Sequence, residues 1–159
     1  MTVLGVVGAG TMGAGIAQLG CQAGLETRLF DADTVALQRA QASIAKRAST
    51  DPLRLLSGVE ELAGCDVVIE AIPESLELKH AVLSDVAAAV GPACVLATNT
   101  SSIPVTQVAA GVPEPARVVG MHFFNPAPVM TLVEVIRGIE SSEEAARAVT
   151  ELGERMGKR

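Results

Sequence analysis

An apolar run, Val3-Leu4-Gly5-Val6-Val7, passes without a break into Gly8-Ala9-Gly10-Thr11-Met12-Gly13-Ala14-Gly15. A strand that ends in Gly-x-Gly-x-x-Gly and leads straight into helical apolar spacing has few ways to fold. The chain must turn tightly and come back as a helix packed on the strand it has just left. Gly8 permits the turn, Gly10 lets backbone approach a pyrophosphate, and Gly13 lets helix and strand close on each other. The pyrophosphate then rests on the unpaired N–H groups and the positive end of the helix dipole. Gly8, Ala9, Gly10, Thr11, Met12 and Gly13 are therefore the candidate cofactor-binding turn, and the cofactor is a dinucleotide.

The rest of the chain alternates as such a start demands. Ile16, Leu19 and Ala23 continue the first helix, and Gly24 stops it. A second strand, Glu26 to Phe30, ends in Asp31, 21 residues beyond Gly10. A carboxylate there accepts hydrogen bonds from the adenosine ribose hydroxyls and repels a 2′-phosphate, which predicts NAD over NADP. Asp33 reads instead as a helix N-terminal residue. Further helices are expected at 35–48, 76–90, 104–110 and 141–156, with a short helical turn at 58–62. Strands are expected at 65–72, 93–97 and 117–121. A last strand, Thr131 to Ile136, falls outside the simple alternation. The fold class is α/β: a Rossmann-type, doubly wound, mostly parallel sheet with helices on both faces.

Composition narrows the function classes. The 159 residues carry a net charge of −6 and three aromatic side chains, all Phe, with no basic block. Neither a phosphate-binding stripe nor a base-stacking platform is present, so nucleic acid is not the expected partner. No apolar run approaches a membrane span, and Met1-Thr2 leads straight into the first strand without a basic flank. Cys21, Cys65 and Cys94 are odd in number and scattered among apolar neighbours. They read as reduced, buried thiols of a cytoplasmic protein, with neither a disulfide nor a metal site.

The chemistry concentrates in Gly120 to Glu134. Of two histidines, His80 lies mid-helix beside Lys79 and reads as a surface residue. His122 ends a strand at the sheet edge where the dinucleotide lies. A neutral imidazole there can take a proton from an alcohol while hydride leaves the same carbon, and Glu134 is the candidate carboxylate to orient it. A structural histidine held in a turn is the competing reading.

Three blocks occur in order: residues 8–18, then Thr98-Asn99-Thr100-Ser101-Ser102, then residues 120–134. Together with Ile69 to Glu74 and Lys79 they resemble the 3-hydroxyacyl-CoA dehydrogenase family, whose NAD-binding N-terminal domain this chain matches over nearly its whole length. The resemblance implies that His122 is the catalytic base in oxidation and the acid in reduction, with Glu134 polarising it. It further implies that Ser101 hydrogen-bonds the substrate's 3-oxygen near the nicotinamide and that Asn125 holds cofactor and substrate geometry. Glu74 and Lys79 are implied contacts on the ribose and nicotinamide side.

The chain also departs from the family. The interval from Asp31 to Glu74 is shorter than the family's, which carries a long helical arm there for the acyl-CoA. Lys46, Arg47 and Arg54 remain as candidates for coenzyme A phosphates. One NAD-binding domain is expected over residues 1–159, without the family's C-terminal helical domain, which the resemblance implies carries much of the homodimer interface. The expected activity is NAD-dependent interconversion of 3-hydroxyacyl and 3-oxoacyl thioesters. A related 3-hydroxyacid or carnitine-type dehydrogenase, or an NAD-binding module inactive alone, shares many of these residues.

Overall fold

The computed structural model describes residues 2–159. Its sheet has seven strands: β1 (Val3–Val7), β2 (Glu26–Phe30), β3 (Leu53–Leu56), β4 (Val67–Glu70), β5 (Val95–Thr98), β6 (Val118–Phe123) and β7 (Val133–Arg137). They lie in the order β3-β2-β1-β4-β5-β6-β7, every neighbouring pair parallel except β6 and β7. The order reverses between β1 and β4, and a crevice opens at the carboxyl ends of strands at such a reversal. The strand read as lying outside the alternation is β7, the antiparallel edge.

Five helices cover the sheet: α1 (Thr11–Gln22), α2 (Thr34–Ala45), α3 (Leu76–Ala89), α4 (Val105–Ala109) and α5 (Glu143–Arg155). Two apolar clusters form, one on each face. The first joins Leu4, Val6, Leu29 and Ile69 to Ile16 of α1, Leu37 of α2 and Val149 of α5. The second joins Val7, Val68 and Leu96 to Leu83 and Val86 of α3 and Val108 of α4. The central strands are buried on both sides, which is why Val67-Val68-Ile69 reads as a continuous apolar run.

Two elements differ from the sequence reading. Leu53-Arg54-Leu55-Leu56 forms β3, where no strand was expected. It is a four-residue edge strand directly after Pro52, with only Leu56 fully buried, too short to carry a clear alternation. His80, expected on the surface, is half-buried instead. Its Nε2 lies 2.7 Å from the Gln107 carbonyl oxygen, where it ties α3 to α4.

Candidate active site

The glycine turn is built as its spacing requires. Gly8 sits at φ +102°, a conformation open to glycine and strained for other residues. A methyl group at Gly13 would collide with the Gly8 carbonyl oxygen, so helix and strand meet at backbone contact. At Gly10 a methyl group would point into open space, the room a pyrophosphate needs. The side chains of Asp33, Ser75 and Ser142 cap α2, α3 and α5, but α1 has no side-chain cap and no acid in its first turn. Its leading N–H groups are free to receive an anion.

From that turn a groove of about 550 Å³ runs over the sheet edge, lined by Gly8, Gly10, Asp31, Ile72, Leu78 and Val82. The Asp31 carboxylate is fixed at both oxygens: it accepts from the Ala9 N–H at 2.7 Å and from the Asp33 N–H at 2.8 Å. A carboxylate oxygen has capacity for a second donor, so Asp31 can still receive ribose hydroxyls. Ile72, Leu78 and Val82 supply an apolar slot beside it. The residues present fit a dinucleotide whose ribose is unphosphorylated.

At the other end of the groove a pocket of about 310 Å³ brings together Met12, Glu74, Ser101, His122 and Asn125. The β6–β7 register places His122 directly across from Glu134, and the His122 Nδ1 lies 2.9 Å from Glu134 Oε2. An ionised carboxylate only accepts, so Nδ1 carries the proton and the Nε2 lone pair is free for the pocket. Phe124 packs against the imidazole, with ring centroids 4.6 Å apart.

The loop after β5 explains why Ser101 is available. Thr98 Oγ1 donates to Glu70 Oε2 at 2.7 Å, and Asn99 Oδ1 accepts from the Phe123 N–H at 2.8 Å. Thr100 and Ser102 donate to Glu74 Oε2 at 2.7 Å and 3.0 Å. Four of the five side chains are thus committed, while the exposed Ser101 hydroxyl has no partner among the described residues and faces the His122 pocket. Burial pushes the Glu74 carboxyl up, but donors on Thr100, Lys79 and Ser102 outweigh it and hold the group below the usual carboxylate range.

Lys79 is placed differently from the sequence expectation of a cofactor contact. Its side chain is 1% exposed, and its ammonium lies 2.7 Å from Glu70 Oε1, 3.1 Å from Glu74 Oε1 and 3.3 Å from the Ile72 carbonyl oxygen. Its ammonium braces Glu74, which lines the His122 pocket. Sequence reasoning passed over Glu70, the centre of this network. The available signal was an acid closing the fully buried strand Val67-Val68-Ile69-Glu70, where an unpaired charge is untenable. Arg54, on β3, pairs with Glu61 Oε2 at 2.7 Å and stays exposed. Arg47 lines a second cleft beside α1. All three cysteines are buried, and burial pushes the thiols of Cys65 and Cys94 up to about 11 and about 12.

Residues 3–159 match the family described as 3-hydroxyacyl-CoA dehydrogenase, NAD binding domain. Over 97% of its length the chain is 41% identical to a probable 3-hydroxybutyryl-CoA dehydrogenase of Deinococcus radiodurans, and it covers 61% of that protein. Over 96% of its length it is 40% identical to the 3-hydroxyadipyl-CoA dehydrogenase of Escherichia coli K12, of which it covers 36%. The crystal structure of (S)-3-hydroxybutyryl-CoA dehydrogenase from Ralstonia eutropha superposes with a TM-score of 0.94 at 36% identity, across 99% of this chain and 62% of that one. The chain therefore spans less than two thirds of the length of each of these relatives.

Proposed function

The chain belongs to the 3-hydroxyacyl-CoA dehydrogenase family as an NAD-binding domain, and on that premise we propose that it is the cofactor-binding part of an enzyme interconverting 3-hydroxyacyl-CoA and 3-oxoacyl-CoA. The observation that carries this reading is the His122–Glu134 pair, held at 2.9 Å beside the one free hydroxyl of its loop, Ser101. NAD, when bound, supplies the hydride acceptor. In oxidation His122 Nε2 takes the proton of the substrate's 3-hydroxyl, and Glu134 stabilises the imidazolium that forms. In reduction the same nitrogen returns the proton. Ser101 donates to the 3-oxygen and holds the reacting carbon, while Asn125 and Glu74 fix the nicotinamide side of the groove.

The free guanidinium groups of Arg39 and Arg47 line the second cleft and offer charge for the phosphates of coenzyme A. The parts of such an enzyme beyond this domain would close the substrate cleft and carry its dimer contacts. A cytoplasmic location agrees with three buried, unpaired thiols, and no helix among the described residues is long and apolar enough to cross a membrane.

Turnover and calorimetry test the two halves of this reading. The full-length enzyme is expected to reduce acetoacetyl-CoA with NADH and to leave free acetoacetate untouched. This chain is expected to bind NADH in preference to NADPH, because Asp31 meets the 2′ position. Preference for NADPH overturns the role of Asp31, and turnover of the free acid alone overturns the thioester assignment.

A further inference from the structure

His122 and Glu134 occupy the last rungs of the β6–β7 ladder, where only the Phe123–Val133 pair lies beyond them. β7 is an edge strand, and Glu134 stands at the end of it that meets the loop 124–132. A strand end with one neighbour is where pairing opens most readily. The ladder makes the two residues neighbours, and something further must keep its last rungs closed.

Residues 157–159 supply that support. α5 ends at Gly157, whose φ of +76° turns the chain back on itself. The Gly157 N–H donates to the Glu154 carbonyl oxygen and the Lys158 N–H to that of Gly153, both at 2.9 Å. The chain then runs beside the start of β7. The Arg159 N–H donates to the Thr131 carbonyl oxygen at 2.9 Å, and the Arg159 carbonyl oxygen accepts from the Val133 N–H at 3.1 Å. Between the helix end and this bridge, Lys158 turns inward. It is 7% exposed, and its ammonium donates to the carbonyl oxygens of Ala127 at 2.7 Å and Met130 at 2.8 Å.

Lys158 is thus a buried cation with no carboxylate partner among the described residues. Burial pulls its pKa below the ordinary lysine range. An apolar side chain would avoid that cost but would leave two converging carbonyl oxygens unsatisfied. Those oxygens belong to the turn 126–130, in which the Val129 and Met130 N–H groups both donate to the Pro126 carbonyl oxygen at 3.0 Å. We propose that Lys158 is a positioning residue for the reaction: it fastens the turn 126–130 to the strap 157–159, holds the start of β7 in place and so keeps Glu134 on His122. It acts through that strand and lies outside the lining of the His122 pocket. The assignment rests on the proposed roles of His122 and Glu134.

A double-mutant cycle in the full-length enzyme tests it. K158M, with K158Q as a second variant should the first fold poorly, is expected to bind NADH at full stoichiometry and wild-type affinity. Its turnover of acetoacetyl-CoA per NADH-binding site is expected to fall about tenfold to a hundredfold, in kcat rather than KM. A residue serving stability alone would leave that kcat unchanged. E134Q has no carboxylate left to position, so E134Q/K158M is expected to turn over within about twofold of E134Q. Wild-type kcat in both Lys158 variants overturns the assignment, and so do losses that multiply in the double variant. Failure of both variants to bind NADH at full stoichiometry also overturns it, since Lys158 then serves the fold. An E134Q enzyme at wild-type speed overturns instead the role of Glu134, and the assignment falls with it.

Discussion

His122 and Glu134 are twelve residues apart in the chain, yet nothing long-range has to be specified to bring them together. An antiparallel ladder between β6 and β7 pairs them as direct neighbours. That pairing separates their roles. On the proposed roles, removing the imidazole removes the proton acceptor, whereas removing the Glu134 charge leaves the acceptor but no longer fixes its tautomer. H122Q in the full-length enzyme is therefore expected to lower kcat by about 10²- to 10⁴-fold while NADH affinity stays near wild type. E134Q is expected to lose less and to retain a pH-dependent rate. Stopped-flow turnover with parallel NADH titrations checks both, and an H122Q enzyme at wild-type speed would remove the histidine from the reaction. At this scale much was legible from sequence, because catalytic types stand at strand ends with few competitors: two histidines in all, and one of them mid-helix. The burial of Lys79 was not legible, for a definite reason. A lysine within a helix is ordinarily solvated, and its burial becomes apparent only once Glu70 on the adjacent strand is seen to need a cation.

At the scale of elements, the strand–turn–helix at the N-terminus divides its labour between fold and ligand, glycine by glycine. Gly13 has no room for a Cβ because the Gly8 carbonyl oxygen occupies that space, while Gly10 faces nothing within 4 Å. The two substitutions to alanine should therefore fail in opposite ways. G10A is expected to fold with a melting temperature near wild type and to lose NADH binding, because its methyl group fills the space of the pyrophosphate. G13A is expected to be strongly destabilised by forcing α1 off β1, with weaker binding only as a consequence. Thermal melts and calorimetry on both variants make the comparison, and a G10A protein that binds NADH normally would move the pyrophosphate elsewhere. The elements on either side were readable because caps, glycines and β-branched runs agree with one another. Asp33, read as a helix N-terminal residue, accepts from the Val35 N–H at the start of α2. β3 escaped notice because it is four residues long at a sheet edge and buries only Leu56 fully, too little to generate a pattern.

For the molecule as a whole, the Glu70–Lys79–Glu74 network links folding to the site. Glu70 closes a central strand at full burial, accepting from Thr98, from the Ile72 N–H and from Lys79. The same ammonium reaches Glu74, which in turn holds Thr100 and Ser102 on either side of Ser101. One lysine thus joins β4, α3 and the loop after β5, and its loss should be felt both as stability and as geometry. K79M leaves the Glu70 charge buried without its cation, at a cost of about 3–5 kcal/mol. For a domain of this size that corresponds to a fall in melting temperature of roughly 6–20 °C. The E70Q/K79M double variant removes the stranded charge and is expected to recover part of that loss. It should not recover the site, because Glu74 still lacks one of its three side-chain donors. Without Lys79 the Glu74 carboxyl rises toward its ordinary range. Its depressed value in the intact protein stabilises fully above the ordinary carboxylate range, and that contribution is lost as pH falls through the folded value, so the Glu74 part of the variants' deficit should be largest above that range and narrow on acidification. Melting temperature against pH, paired with NADH affinity for the single and double variants, reads both effects. A double variant that regains stability and full NADH affinity together would show that Lys79 serves the fold alone.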